Sequence, residues 1–294
     1  TRMKLAGSER IYQGCIYTLV SLLLLISAFP LFYVVCVSLT SDAEVMERGN
    51  LMLIPMRPTL EAYERIFLRN GLIFNSFYVS VVRTLVGTAA TLAFTLVAGY
   101  AVSRRDMPGN KALMFLIMIT ILFSGGMIPT FLVVQATGLY DNFWSMIVPG
   151  LLDSWSVLVF RQFFLNLPHE IEEAAEVDGV PKIRLFLLII LPMSTAVIAA
   201  LGLFMAVGHW NAWFDAMIYI KDDSLKPLQL VLYNMHKDAN MGYNMNEVND
   251  FTGRVPTRAL RMALTVIGTV PILCVYPFLQ KYFTKGVYVG AVKG

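Results

Sequence analysis

Charge is what this 294-residue sequence has least of. Only 15% of its residues are Asp, Glu, Lys or Arg, against roughly 25% in an average soluble domain. With 57% of residues apolar and a mean hydropathy of +0.64, polar side chains are too few to solvate the surface of a globule. Charge of one sign is lacking too: 23 basic residues stand against 20 acidic ones, without the basic stripes of a nucleic-acid binder. Cysteine is scarce, and Cys15, Cys36 and Cys274 sit alone in apolar runs, which excludes a disulfide framework and a zinc site. His169, His209 and His236 are scattered, and His169-Glu170 has no second histidine at metalloprotease spacing. No GxxxxGK[ST] loop is present to cradle ATP phosphates, and no serine stands in a GxSxG turn. The chain carries no nucleotide, metal or cofactor signature of its own. What remains is an integral membrane protein.

Long apolar runs are abundant. A bilayer crossing needs about 20 apolar residues in a helix, and six segments qualify: about 11–40, 74–102, 111–136, 142–164, 190–213 and 259–283. The first is too long for a signal-peptide core and lacks a small-x-small cleavage site. The expected fold class is therefore all-α, with six transmembrane helices in one domain over 1–294. Positive residues mark the cytoplasmic side. The short connection Ser103–Asn110 holds Arg104 and Arg105 with Lys111 just beyond, whereas Thr137–Asp141 holds neither Lys nor Arg. That asymmetry places both ends of the chain in the cytoplasm, the connection 165–191 on the same side, and the long connection 214–258 outside.

The segment 165–191 does not read as an ordinary loop. Asn166 can cap a short helix, Pro168 suits its first turn, and Glu170, Glu172 and Glu173 favour its positive end. Ala174 and Ala175 offer a small flat patch for close approach. Asp178 and Gly179 suit a turn, with Gly179 able to take the left-handed conformation that ends a helix. Pro181 then starts a second helix, whose Ile183, Phe186, Leu187 and Ile190 could lie in the membrane interface before Pro192. The outcome is a helix-turn-helix with an acidic, small-residue face.

The spacing Glu173-Ala174-Ala175, three residues, Gly179, nine residues, Ile189, one residue, Leu191-Pro192 resembles the EAA loop of ABC-importer permeases at every fixed position. Seven fixed positions at roughly 7% usage each make a chance match on the order of one in a million. Glu172, Asp178 and Phe186 extend the likeness to the sugar-importer subfamily, while Phe160–Phe164, Ile128-Pro129-Thr130 with Gly138-Leu139, and the Lys285–Gly294 tail resemble the family elsewhere along the chain. The pattern is most similar to the second permease subunit of maltose-type importers, in the branch serving complex oligosaccharides and polysaccharide fragments. Val180 departs slightly, standing where that branch often has Ala. The resemblance implies a type I ABC-importer permease fold in a bacterial plasma membrane and a non-catalytic subunit. It also implies four partners: a second permease, two ATPases that bind ATP and Mg, and an extracellular sugar-binding protein. On this reading Glu173 meets a basic group on the ATPase, Ala174 and Ala175 allow close seating, and Gly179 makes the turn. The loop after the fifth span would face the binding protein.

Other residues admit two readings each. Arg83 and Asp153 are charges deep inside spans, and their equal depth permits an ion pair; alternatively they line the sugar path. Trp210, Asn211, Trp213 and Phe214 form either an interfacial aromatic belt or a stacking surface for sugar rings. Asn75 and Ser76 are polar glue between helices or partners for substrate hydroxyls. The stretch Met235–Val255, with Gly242 and Gly253 as hinges, has too little apolar content for a core and is expected to order only against a partner.

Overall fold

The computed structural model describes residues 7–48, 54–69, 71–104, 106–240 and 258–291. Fourteen α-helices follow one another in these residues, and no strand occurs among them. They are α1 Gly7–Ser38, α2 Asp42–Arg48, α3 Glu61–Arg69, α4 Gly71–Ser103, α5 Asn110–Leu122, α6 Met127–Ala136 and α7 Ser154–Leu165. Then come α8 His169–Val177, α9 Lys182–Leu185, α10 Leu191–Met193, α11 Thr195–Asn211, α12 Phe214–Tyr219, α13 Leu228–Asn240 and α14 Arg258–Ala291. A π-helical turn, Phe186–Ile190, joins α9 to α10.

Among the described residues, three helices are long and apolar enough to cross a bilayer: Ile11–Ser38 of α1, Gly71–Ser103 of α4 and Arg258–Val275 of α14. The count rises to five if two bent pairs each make one crossing. Residues Leu23 to Ile26 of α1 point to all sides at about 100° per residue, yet each is more than half exposed. A helix apolar all round is built for lipid.

The run 142–164 is not one helix. It consists of 3-10 turns at Phe143–Met146 and Val148–Gly150 and then α7, bent by 48°. Pro149 and Gly150 break the first part, and Asp153 starts the second as its N-cap, accepting from the Ser156 N–H at 3.2 Å. The run 111–136 is likewise two short helices, separated at 123–126 where Phe123 turns extended before the Gly125-Gly126 pair. The run 190–213 begins inside a helical segment that bends by 80° at Ser194 before α11. Hydropathy sees none of these breaks, because the residues that make them leave the runs apolar.

The chain divides into two compact units. Within the first, residues 1–71 and 235–269, Ser38 Oγ meets Tyr63 Oη at 2.8 Å, and Arg258 donates to Tyr33 Oη at 2.6 Å. The second unit, residues 72–234 and 270–294, contains the hairpin and the cavity described below. Its buried face of α4 is small and polar: Ser76, Ser80, Gly87, Thr91, Thr95 and Gly99 recur every three to four residues around Arg83. That stripe lets other helices come close. A Cβ on Gly99 would lie 2.6 Å from Phe160 Cβ, and one on Gly87 would lie 2.8 Å from the His209 ring.

The segment after α11 carries α12, a 3-10 turn at Asp223–Leu225 and α13. Trp213 stacks on Tyr233 at 4.0 Å, and Met146, Val79, Ala216, Ile220 and Leu230 form a core beneath them. Asp141 fastens this segment further, its carboxylate accepting the Lys221 and Asp222 N–H groups at 2.7 and 2.9 Å. Of the stretch expected to order against a partner, residues 235–240 lie in α13. Its remaining residues, including Gly242–Asn249, lie outside the described residues.

Candidate functional site

Two places in the second unit hold the functional candidates. The first is the hairpin formed by α8 and α9. Asn166 does not cap α8 as expected; it is the C-cap of α7, its N–H bonding the Phe163 carbonyl at 3.1 Å. α8 ends at Val177, and Gly179 stands at φ 69. The Val180 N–H reaches back to the Ala175 carbonyl at 2.9 Å, the six-to-one bond of a Schellman motif. Val180 also packs against the apolar cluster that contains Ala175.

The side chains of the hairpin then divide by face. Ala175 is buried with Phe160, Phe164, Leu185 and Ile190, so it builds the hairpin's own core and is not part of an outer patch. Glu172 points inward as well, in an ion pair with Arg104. Glu173, Ala174, Asp178 and Gly179 face outward, next to Val177 and Ile183, which are 87% and 76% exposed. Phe186 turns in against Tyr100, with ring centroids 4.5 Å apart, while Leu187 is exposed, Leu191 half-buried and Pro192 exposed. The acidic, small-residue face is present, but it is narrower than the sequence motif.

The second place is a cavity of about 550 Å³ between α4, the break before α7, α11 and α12. Arg83 lies in its wall, 1% exposed. Its guanidinium donates to the Ala212 carbonyl at 3.0 Å and the Met146 carbonyl at 3.4 Å, and pairs with Asp215. The expected Arg83–Asp153 pair is therefore corrected. Asp153 reaches the same cavity, but its carboxylate is engaged by the Ser156 N–H and hydroxyl at the start of α7. Equal depth in two spans could not show this, because Asp215 stands on α12, a short helix past the end of α11.

Of the seven residues proposed for a substrate path, only Arg83 and Asp153 line the cavity. Asn75 donates to the Ser224 carbonyl at 2.5 Å, holding the segment after α12 to α4. Ser76 is buried, with no hydrogen-bond partner for its hydroxyl among the described residues. Trp210 is buried edge-on against Phe77, Asn211 is exposed away from the cavity, and Trp213 is covered by Tyr233. The sequence reading missed His209, Trp155, Thr91 and Asp215, all in the cavity wall. His209 Nε2 lies 3.3 Å from Thr91 Oγ1, its ring seated over Gly87. The usable signal was Asp215, a carboxylate two residues past the Trp210–Trp213 cluster. Among the described residues no group of three or more His, Cys, Asp or Glu could hold a metal ion.

No family model matches the chain. Over 287 residues it is 38% identical to the polygalacturonan/rhamnogalacturonan transport system permease protein YtcP of Bacillus subtilis, covering 97% of this chain and 99% of that one. The chain belongs to the permease subunits of sugar ABC importers. It is also 39% identical over 272 residues to protein LplC of the same organism, covering 92% of this chain and 90% of that one. A solved relative, from a bacterial ABC transporter involved in the import of the acidic polysaccharide alginate, superposes with a TM-score of 0.84 at 27% identity, covering 95% and 99% of the two chains. The subunit is thus a non-catalytic permease of an oligosaccharide or polysaccharide import system, and ATP hydrolysis lies with partner ATPases. Membership of such systems implies ATPase, binding-protein and second-permease partners in a bacterial membrane.

Proposed function

We propose that this permease carries oligosaccharides cut from acidic polysaccharides, and that its hairpin docks on an ATPase through Glu173, Ala174, Val177 and Ile183. The reading is carried by the outward face of α8, where a carboxylate and exposed apolar side chains stand beside a sharp glycine turn. A basic, apolar-lined groove is its chemical complement. Two similar systems that handle acidic glycans support the substrate class. The bent pairs each make one crossing, and α5 with α6 makes a sixth, so that the hairpin and both ends of the chain face the cytoplasm. The cavity at Arg83 and Asp153 would then form this subunit's share of a path completed by the second permease. Trp155, 58% exposed, supplies a ring face there, while Asp153 and His209 supply polar groups for sugar hydroxyls.

The test is co-purification of the ATPase with Glu173→Lys, together with uptake by membrane vesicles. Reversal of the exposed charge should weaken ATPase binding and abolish uptake. Normal association and normal uptake would remove the docking assignment.

A further inference from the structure

Adjacent residues on a helix point about 100° apart, and in α8 the two neighbouring glutamates use this to face different partners. Glu173 is exposed, whereas Glu172 turns inward onto Arg104, just past the end of α4. This ion pair is not an isolated surface contact. The side chains of Arg104 and Glu172 are only 22% and 16% exposed. The Arg104 guanidinium also donates to Tyr100 Oη at 2.5 Å and lies 4.9 Å from the Tyr100 ring centroid. Tyr100 is in turn wedged between Phe164 of α7 and Phe186 of the π turn, with centroids at 5.5 and 4.5 Å. One arginine and one tyrosine at the end of α4 therefore hold both arms of the hairpin.

That end of α4 is itself fixed. Asn110 donates to the carbonyls of Val102 and Arg104 at 3.0 and 2.6 Å, and Arg161 Nε donates to the Val102 carbonyl at 3.1 Å. These bonds occupy carbonyls that a helix end leaves without intrahelical partners. Gly99, one residue before Tyr100, seats directly on Phe160. From there α4 runs unbroken to the cavity: Thr91 is about 14 Å from Tyr100 along the axis and Arg83 about 26 Å, at 1.5 Å per residue. By contrast, the way from the hairpin into α11 passes through the π turn and the 80° bend at Ser194. A displacement of α8 meets a stiff path into α4 and a jointed one into α11.

We propose that Arg104, with Tyr100 and Glu172, is a positioning strut that carries hairpin movement into α4 and so to the cavity wall at Thr91 and Arg83. The proposal rests on the docking of the hairpin to the ATPase. It assigns Glu173 to the partner and Glu172 to this chain's own α4. The exposed Lys182–Asp106 pair at 3.4 Å spans the same two segments but is open to water and carries little.

The test uses the full importer with Arg104→Ala, Glu172→Gln and the exchanged pair Arg104→Glu/Glu172→Arg. Three quantities are read: ATPase co-purification, basal hydrolysis, and the ratio of sugar-loaded binding-protein-stimulated to basal hydrolysis. A strut predicts normal co-purification and basal hydrolysis in the single variants. It also predicts a stimulation ratio lowered at least about fivefold, the lower end of usual coupling between distant sites, with partial recovery in the exchanged pair. Glu172→Gln keeps the side chain's shape, so it decides the matter if Arg104→Ala assembles poorly. A stimulation ratio within about twofold of wild type in Glu172→Gln, or equal loss of all three quantities without recovery in the exchanged pair, overturns the strut. Failure of the docking reading looks different: Glu173→Lys would then bind the ATPase as wild type does.

Discussion

Replacing Arg83 or Asp215 should have unequal costs, and the inequality follows from their burial. Asp215→Asn leaves a guanidinium that is 1% exposed with two backbone carbonyls and no countercharge. Stranding one member of a buried pair costs about 3–5 kcal/mol. Arg83→Met leaves Asp215, whose side chain is 31% exposed and can recover water through the cavity, so its cost should fall to about 1–3 kcal/mol. The double variant removes both charges and should cost less than Asp215→Asn alone, because replacing a whole buried pair with matched volume is mild. The assay is thermal unfolding of the purified complex in detergent, arranged as a double-mutant cycle, with a second cycle on Arg83 and Asp153. Coupling well above about 0.5 kcal/mol is expected for Arg83 with Asp215, and less for Arg83 with Asp153. Additive effects at Arg83 and Asp215, or equal costs for the two single variants, would refute the reasoning.

Gly99→Leu should destabilise the permease by at least about 1–3 kcal/mol, since its Cβ would meet Phe160 Cβ at 2.6 Å and the Val157 carbonyl at 3.2 Å; Gly71→Ala, with nothing within 4 Å, is the matched control in melting measurements, and it should melt as wild type does. Gly179→Val forces a β-branched residue to φ 69, at a cost of roughly 1–2 kcal/mol, and should uncouple uptake from ATP hydrolysis in vesicles. The Asp222 N–H, and after it the Lys221 N–H, hold the Asp141 carboxylate below the usual carboxylate range. A lowered folded value stabilises fully above the unfolded pKa of about 3.9 and is lost as pH falls through the folded value, so Asp141→Asn should flatten the acid side of the stability–pH curve; an unchanged slope would count against the contact.

Composition alone revealed the membrane class, and uninterrupted runs located α1, α4 and α14, because a lipid-facing helix must be apolar along its length. The hairpin was equally legible: its proline, glycine and acidic residues are local signals, and Gly179 takes the positive φ that such a stop requires. The breaks at 123–126 and 147–153 were hidden inside apolar runs, although Gly125-Gly126 and Pro149-Gly150 mark both. The division between Glu172 and Glu173, and the burial of Ala175, depend on which face of α8 meets Arg104 and Phe160, which lie far away in sequence. The partner of Arg83 is 132 positions distant, on a segment that hydropathy treats as an outer loop. His209 looked like a stray residue because only the missing Cβ of Gly87 makes room for it.

The most direct test of the account is ATP-dependent uptake of a labelled oligogalacturonide into proteoliposomes holding the complete importer. Uptake should require ATP inside, the sugar-loaded binding protein outside, and an intact Glu173 face on the hairpin. Uptake driven by an ion gradient without ATP, or unchanged by Glu173→Lys, would contradict it.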